Sequence, residues 1–540
     1  MAEPWYQSAI VYCLDVRTFA DGNGDGIGDF AGLAQHLEHL AGLNISCVWL
    51  QPFFPSPLRD NGYDITDYYA VDPALGTLGD FVEFMRRARE RGIRVVIDLV
   101  VNHTSTDHAW FQAARADRNS PLRDWYVWSD AKPEDAEEGT VFPGSQQTTW
   151  TWDEKAQAYY FHRFYDHQAE LNIAHPAVRR EIEKITGFWL ELGVSGFRVD
   201  ALPFLLELQG LPREGQRIAF GYLRELRQHV QTLRGDVCLM AEANITPEEV
   251  PSYFGDGDQI HMSFSFWLNQ HLFLALARGD ARPLRQAWEE LPALPSWCRW
   301  AHFLRSHDEL DLGRLSEAER QEVFRAFGPE PEMQLYGRGL RRRLAPMLGN
   351  DARRLALAHS LLLTLPGTPV LRYGDEIGMG EDLSLKERAS VRTPMQWSRA
   401  PNGGFSSAPA ERLRLPVISG GEFGYEEVNV DAQRADPESL LNRLERMLRL
   451  RRQCPAFGLG SCCFLDLGTP PLLAMRCEYE GKTYFALHNL GEHPLELALP
   501  PEASCAGLYD LLAGQPLETH CDGSCWLALE PYGYRWLRAG

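Results

Sequence analysis

The sequence predicts an α/β fold of the (β/α)8 TIM-barrel type, with a subdomain inserted after strand 3 and a C-terminal antiparallel β-sandwich. Short apolar runs alternate with helically spaced apolar residues over the first four-fifths of the chain, as a barrel requires. In addition, acidic residues directly follow several of the apolar runs. In a parallel barrel those positions meet at one face, where catalytic groups lie.

The predicted elements follow one another in barrel order. The strands are placed at Ile10–Leu14, Cys47–Leu50, Arg94–Val101, Gly196–Val199, Cys238–Ala241, Ile260–Phe266, Trp300–Asp308 and Thr368–Asp375. Helical spacing marks Leu33–Leu40, Phe81–Arg91, a segment ending at Leu192, Arg217–Leu233 and Arg443–Arg452.

Two segments depart from this alternation. Residues 104–175 are rich in Trp, Tyr, Asp and Gly without steady periodicity, and are too long for a plain loop. Beyond residue 456, short strand-like runs alternate with Gly and Pro turns, which is typical of a sandwich. The predicted domains are the barrel (1–103 and 176–455), the inserted subdomain (104–175) and the C-terminal sandwich (456–540).

Three acids, Asp200, Glu242 and Asp308, each follow an apolar run. One such acid is more often a helix cap or a solvated loop residue. Three of them at barrel strand ends predict a shared pocket, which glycosidic bond cleavage requires: one carboxylate attacks or stabilises the anomeric carbon, and another carboxyl group protonates the leaving oxygen.

Four segments follow one another in the chain: Asp98–His103, Gly196–Asp200, Ala241–Asn244 and Ser306–Asp308. In these segments and their order the chain has a resemblance to the α-amylase superfamily, glycoside hydrolase family 13, whose members include retaining α-glucoside enzymes. It implies that Asp200 is the nucleophile, Glu242 the general acid and base, and Asp308 the carboxylate that stabilises the transition state. It also implies that Arg198, His103 and His307 line the sugar subsite.

Elementary electrostatics agrees with these roles. Arg198 lies two residues before Asp200 on a strand, so both side chains face the same side and the ionised nucleophile is favoured. Glu242 must carry a proton near neutral pH, so burial and neighbouring carboxylates should raise its pKa. We therefore expect a bell-shaped pH profile.

Further sugar-binding residues are predicted around the pocket. Tyr63 can stack on a pyranose face, and Asp60 can accept hydroxyl hydrogen bonds. Phe161, Phe164, Gln168 and Arg392 match positions that narrow the pocket of relatives acting on disaccharides, although ordinary aromatic packing is the alternative for the two phenylalanines.

One calcium site is expected, and a second is suggested by the resemblance. The run Asp21–Asp29 places side-chain oxygens at every second residue, a pattern that suits calcium; the ligands would be Asp21, Asn23, Asp25, Asp29 and the carbonyl of Ile27. A plain Gly-Asp turn without metal is the alternative. The resemblance suggests a second site with Asn102, Glu170, Glu207 and the carbonyls of Phe204 and Leu205, where Glu170 stands in place of the usual Asp.

The composition limits the partners. The net charge is −21, which disfavours nucleic acid and anionic membranes, so the expected partner is a small-molecule sugar; a homo-oligomer is left open. The N-terminal residues lack the pattern of a signal peptide, which predicts a cytoplasmic location. The scattered cysteines predict reduced thiols, with no zinc-type spacing in Cys462–Cys463 or around Cys521 and Cys525.

Within the superfamily the resemblance is closest to trehalose synthases, which interconvert maltose and trehalose. It is carried by Pro52–Tyr63, Tyr253–Asp258, Arg341–Asn350 and Val391–Trp397. The loop after Asp200, including Leu205–Gly210, is shorter than in those enzymes. The alternatives are therefore an amylase-type or α-glucosidase-type hydrolase, a transglucosylase acting on short α-glucosides and, more distantly, a non-catalytic binding homologue.

Overall fold

A closed barrel of eight parallel strands forms the centre of the molecule, as predicted. The computed structural model describes residues 3–207, 213–499, 507–517 and 526–539. The barrel strands are β1 (Val11–Leu14), β2 (Cys47–Leu50), β3 (Arg94–Leu99), β4 (Gly196–Val199), β5 (Cys238–Ala241), β6 (Met262–Phe264), β7 (Arg299–Phe303) and β8 (Thr368–Arg372). β1 closes the ring by pairing Val11 with both Cys47 of β2 and Val370 of β8.

Alternating residues of the strands build two apolar layers, because successive side chains point to opposite faces. Val11, Cys13, Cys47 and Trp49 belong to a small buried cluster shared by the strands. Their chain neighbours Tyr12, Leu14, Val48 and Leu50 belong to the main core, which also contains the apolar helix faces.

The strands are connected mainly by helices. One of the longer helices, Leu78–Glu90, begins with a capping box between Thr77 and Asp80 and buries Phe81, Phe84 and Met85, which satisfies its first backbone donors and orients its apolar face. The described α-helices are Val16–Phe19, Phe30–Gln35, Leu37–Gly42, Leu78–Glu90, Ala109–Ala116, Pro176–Glu191, Leu202–Leu206, Arg213–Leu233, Val250–Phe254, Phe266–Arg278, Arg282–Glu289, Glu317–Phe327, Leu344–Met347, Ala352–Thr364, Val430–Ala435, Leu440–Gln453 and Ala456–Leu459.

The segment between β3 and Pro176 carries its own antiparallel strands. His103–Ser105 pairs with Gln168–Glu170, and Ala158–Phe161 pairs with both Trp128–Ser129 and Trp150–Asp153. The first pairing brings residues at the tip of β3 next to the end of the inserted segment. A further small sheet after β7 contains Leu310–Asp311, Gln334–Leu335 and Gly339–Leu340.

The C-terminal region contains antiparallel sheets. A six-stranded sheet contains, in spatial order, Ser461–Leu465, Leu472–Tyr479, Lys482–Asn489, Tyr534–Ala539, Leu508–Asp510 and Gln515–Pro516, and a two-stranded sheet pairs Leu495–Ala498 with Trp526–Leu529. The indole of Trp536 donates a hydrogen bond to Ser360 on a barrel helix, so this region packs directly on the barrel. The exact domain boundaries stay a prediction.

The prediction that all cysteines are reduced is wrong for one pair. Cys462 and Cys477 form a disulfide because they stand directly opposite each other in neighbouring antiparallel strands, a register that the linear spacing does not reveal. Cys521 and Cys525 lie outside the described residues. Across the described parts of the chain, no helix is both long and apolar enough to cross a membrane.

Candidate active site

Arg198 joins three carboxylates at the tips of neighbouring barrel strands. Its Nη1 lies 2.5 Å from Asp200 and 3.0 Å from Asp98, and its Nη2 lies 2.7 Å from Glu242. Asp200 directly follows β4 and Glu242 directly follows β5, which pair in register. Because both carboxylates contact one guanidinium, they lie close enough to act on the same anomeric carbon.

Asp308 lies five residues beyond the end of β7 and is held by two arginines and a histidine. Its Oδ1 accepts hydrogen bonds from Arg388 (2.9 Å) and Arg392 (2.7 Å), and its Oδ2 lies 3.1 Å from Nε2 of His307. Arg392 also donates to the carbonyl of His307, which fixes the turn that carries Asp308.

Burial gives Asp200 and Glu242 different pKa values. Burial raises the pKa of Asp200 to about 6 despite the opposing charge of Arg198. Burial also raises the pKa of Glu242 to about 7, helped by Asp200 and Asp308 and opposed by Arg198. Glu242 therefore holds a proton at pH values where Asp200 is already ionised, which is the division that an acid and a nucleophile require.

Asp308 behaves in the opposite way. Burial favours its protonated form, but the positive charges around it, including Arg388 and Arg392, outweigh burial and hold its pKa well below the usual range. Burial lowers the pKa of His307 well below its usual range, so His307 is a neutral hydrogen-bonding group near neutral pH. Asp308 is consequently a permanent negative charge in the pocket.

The predicted sugar-binding residues form one wall. The Tyr63 hydroxyl lies 2.7 Å from Nε2 of His307 and donates to Asp98 at 3.0 Å, and its ring stacks on His307 with an interplanar angle of 2°. Nε2 of His103 lies 3.0 Å from the carbonyl oxygen of Tyr63, so His103 holds the backbone of Tyr63 while the side chains of Tyr63 and His307 hold each other.

Asp60 stands beside this wall and bridges two parts of the chain. Its Oδ2 accepts a hydrogen bond from Gln168 at 3.0 Å, and its Oδ1 accepts one from Arg388 at 2.8 Å. Since Arg388 also contacts Asp308, one guanidinium couples a predicted sugar-binding acid to a predicted catalytic acid.

The side chains converge on a cavity of about 590 Å³, within the range of small-molecule sites. The structure brings the three predicted acids, Arg198, His103, His307, Asp60, Tyr63, Phe164 and Gln168 to this cavity. Arg392 does not line the cavity but donates a hydrogen bond to Asp308, which does. Phe161 is not among the lining residues; it packs on Trp150 in the strand pair of the inserted segment.

The sequence did not predict every lining residue, and Arg388, Glu309 and Arg338 are among those it did not indicate. Glu309 directly follows Asp308, and burial raises its pKa to about 7. Its position beside a predicted acid was the available signal. Arg388 and Arg338 lie in irregular segments, where no periodicity shows which way a side chain points.

The loop expected to bind the first calcium ion closes on its own backbone. Asp21 Oδ1 accepts hydrogen bonds from the amides of Asn23 and Gly24, Asp25 accepts one from Ile27, and Asp29 caps the following helix through Gly32. The donors are all oxygens, which suits calcium. Within the described ranges, however, no group of three or more Asp, Glu, His or Cys side chains is arranged to hold a metal ion.

The second expected calcium site contains the buried carboxylate of Glu170 beside an Asn102 oxygen that lacks a hydrogen-bond partner in the described structure. Asn102 Nδ2 donates to Glu170 at 2.8 Å, while Asn102 Oδ1 is buried without a hydrogen-bond partner in the described structure. Burial raises the pKa of Glu170 to about 8. Glu207 instead lies 3.6 Å from Arg163. Phe204 packs on Phe164 and Leu205 is buried. A cation would satisfy the orphaned oxygen, so Asn102 and Glu170 fit a metal better than Glu207 does.

Acids gathered at the carboxyl ends of a parallel barrel, one protonated and two ionised near neutral pH, define a carbohydrate-active barrel enzyme. The particular family follows from comparison with known proteins. The family model described as alpha amylase, catalytic domain, matches residues 14–320 and 340–460. The chain belongs to the alpha-amylase family.

Two relatives illustrate where the chain lies in this family. It is 45% identical to a trehalose synthase of Thermus thermophilus over 534 residues, covering 98% of this chain and 55% of that protein. It is 41% identical to a trehalose synthase of Pimelobacter sp. over 551 residues, covering 99% and 96% respectively. The chain thus spans about half of the first relative's length and nearly all of the second's.

Solved structures show the same architecture. The trehalulose synthase MutB from Pseudomonas mesoacidophila matches with a TM-score of 0.79 and 26% identity, covering 99% of this chain and 100% of that one. An alpha-amylase from H. orenii matches with a TM-score of 0.80 and 26% identity, covering 98% and 99%.

Proposed function

We propose that this protein is a retaining glucosyl-transferring isomerase that interconverts maltose and trehalose. The proposal draws on the trehalose synthase relatives and on one structural observation: a roof covers part of the cavity that holds Asp200. The roof comprises residues 139–145 and 163–168 of the inserted segment together with Tyr336, Arg338, Glu387 and Arg388 from the loops after β7 and β8.

The roof is held together by contacts across the cavity. Arg338 donates to the carbonyl of Val141 at 2.9 Å, and the Arg388 guanidinium lies 4.9 Å from the Phe142 ring centre. Glu387 accepts hydrogen bonds from Ser145 (2.7 Å) and Tyr165 (3.2 Å).

An isomerase needs such a roof more than a hydrolase does. The freed glucose must stay beside the covalent intermediate while it turns, and water must be kept away in that interval. The contacts join the inserted segment to the barrel loops on the far side of the cavity, which opposes the escape of glucose.

The reaction uses the two acids in turn. Asp200 attacks the anomeric carbon of the non-reducing glucose of maltose, the carbon–oxygen bond breaks, and Glu242 donates its proton to the leaving oxygen. The freed glucose turns, and its anomeric hydroxyl attacks the glucosyl ester while Glu242 takes up the proton. Asp308, kept ionised by Arg388 and Arg392, is placed to stabilise the positive charge that develops on the sugar.

We also propose calcium as a structural ion. Asp21, Asn23, Asp25, Asp29 and the Ile27 carbonyl would hold one ion. Asn102, Glu170 and the carbonyls of Phe204 and Leu205 would hold a second, and Glu207 would join them only by leaving Arg163. Bound calcium would supply positive charge that stabilises the loops near β1 and below the roof. None of the chemical steps depends on it.

Incubation of the purified protein with maltose in ¹⁸O-labelled water tests the proposed activity. We expect unlabelled trehalose as the main product and labelled glucose as a minor one. Glucose as the main product, labelled in one of the two molecules released from each maltose, would establish a hydrolase. Longer oligosaccharides would establish a transglucosylase, and no turnover a binding role; each would contradict the isomerase proposal.

A further inference from the structure

A second cavity, of about 290 Å³, lies at the opposite end of the barrel from the active site. Ser8 and Ser46 line it from the residues just before β1 and β2, and Arg94 lines it from the first position of β3. Arg451 and Arg452 line it from the helix Leu440–Gln453, the last long helix of the barrel. The lining contains three arginines and no acidic residue, in a chain of net charge −21.

Arg451 is a buried cation without an acidic partner. It is 4% exposed, and its guanidinium donates to the carbonyls of Leu363 (3.1 Å) and Gly367 (2.6 Å). No carboxylate of the described chain lies within ion-pair distance of it. Burial lowers its pKa to about 9, which reflects the cost of an uncompensated buried charge.

The other two arginines frame the cavity. Arg94 pairs with Asp236 at 2.7 Å, and its guanidinium lies 4.9 Å from the Trp5 ring centre, so its orientation is set by two contacts. Arg452 is exposed and, within the described part of the chain, forms no ion pair. Two of the three guanidinium groups are thus without a counter-ion.

We propose that this cavity binds a phosphate group, either inorganic phosphate or the phosphate of a small ester. Guanidinium groups match the oxygens of phosphate geometrically and electrostatically, and a bound phosphate would supply the negative charge that Arg451 lacks. The ligand would connect the starts of the first three strands to the last long helix of the barrel. Its expected effect is on stability, because chemistry in such barrels takes place at the other face.

Calorimetry and thermal melting test this site with two probes, inorganic phosphate and glycerol 3-phosphate, at an ionic strength held constant with chloride. We expect saturable binding of at least one probe and a rise in Tm. In Arg452→Gln the affinity should fall at least about tenfold, the loss expected for one charge-assisted contact. The matched control Arg449→Gln changes an exposed arginine of the same helix that is absent from the cavity lining, and it should bind like the wild type.

The two probes distinguish the sources of the phosphate. Tighter binding of glycerol 3-phosphate assigns the site to an ester, and equal or weaker binding assigns it to free phosphate. The absence of saturable binding by either probe would overturn the proposal, as would unchanged affinity in Arg452→Gln. Melting of both variants without ligand verifies that each is folded.

Discussion

Arg198 sets the protonation pattern of the active site, because its guanidinium contacts Asp98, Asp200 and Glu242 at once. Its charge opposes the effect of burial on all three pKa values. Burial nevertheless prevails and leaves Asp200 and Glu242 with pKa values of about 6 and about 7. The acid and the nucleophile are therefore separated by a narrow margin.

This margin predicts a narrow bell-shaped dependence of kcat/KM on pH. Activity should rise as Asp200 loses its proton near pH 6 and fall as Glu242 loses its proton near pH 7. The measurement is the initial rate on maltose at low substrate concentration across pH 4 to 9. In Glu242→Gln the residual rate should lack the fall at high pH; a fall that persisted would contradict the assignment of Glu242.

Arg388 gives a second prediction at the residue scale. Arg388→Ala should lower kcat/KM for maltose roughly 10- to 100-fold, because it removes charge-assisted hydrogen bonds to both Asp60 and Asp308. Arg388→Lys keeps the charge but loses the forked guanidinium that reaches both acids. Its kcat/KM should therefore lie between those of the wild type and Arg388→Ala. A change in kcat/KM below about twofold in Arg388→Ala would show that Arg388 does not contribute to substrate binding or catalysis.

The regularity of the backbone explains which predicted residues reach the cavity. Asp200 and Glu242 directly follow barrel strands, so the period of the strand places them at the cavity. Arg388 lies in the short 3-10 stretch Glu387–Val391, whose side-chain directions depend on contacts from the inserted segment. Phe161 failed to reach the cavity because the pairing of its strand turns it toward Trp150.

The roof is the element that we expect to favour isomerisation over hydrolysis. Glu387→Ala should raise the ratio of glucose to trehalose formed from maltose, because it removes the contacts to Ser145 and Tyr165 without removing a cavity-lining side chain. Roughly fivefold is expected for about 1 kcal/mol of lost contact. Product chromatography measures the ratio, with Glu411→Ala, at an exposed position, as the control. An unchanged ratio in Glu387→Ala would show that the roof does not determine which product forms.

The loop Asp21–Asp29 carries the calcium prediction. A chelator should lower Tm by several degrees, because an ion that binds only the folded state stabilises it by mass action. Added calcium should restore the original Tm, and added magnesium should restore it only in small part. In Asp21→Asn the chelator should have less effect. A melt that is insensitive to the chelator in the wild type would reject a structural ion.

At the scale of the whole molecule, the barrel could be predicted because alternating strands and helices leave a strong periodic signal. The C-terminal sheets were predicted as a type but not in register, since antiparallel pairing between distant strands is not encoded in local spacing. That is why the Cys462–Cys477 disulfide was missed. Sequence alone is least informative in the inserted segment, where strand pairing across 67 residues joins His103 to Glu170.

During turnover, Asp200 should carry the glucosyl group as a covalent ester. The direct measurement is mass spectrometry of the peptide containing Asp200 after incubation of Glu242→Gln with α-glucosyl fluoride, a substrate whose leaving group needs no acid. We expect one glucosyl unit bound to Asp200, and we expect Asp200→Asn to remain folded but unlabelled. A glucosyl group on another residue, or none on Asp200 while fluoride is released, would contradict it.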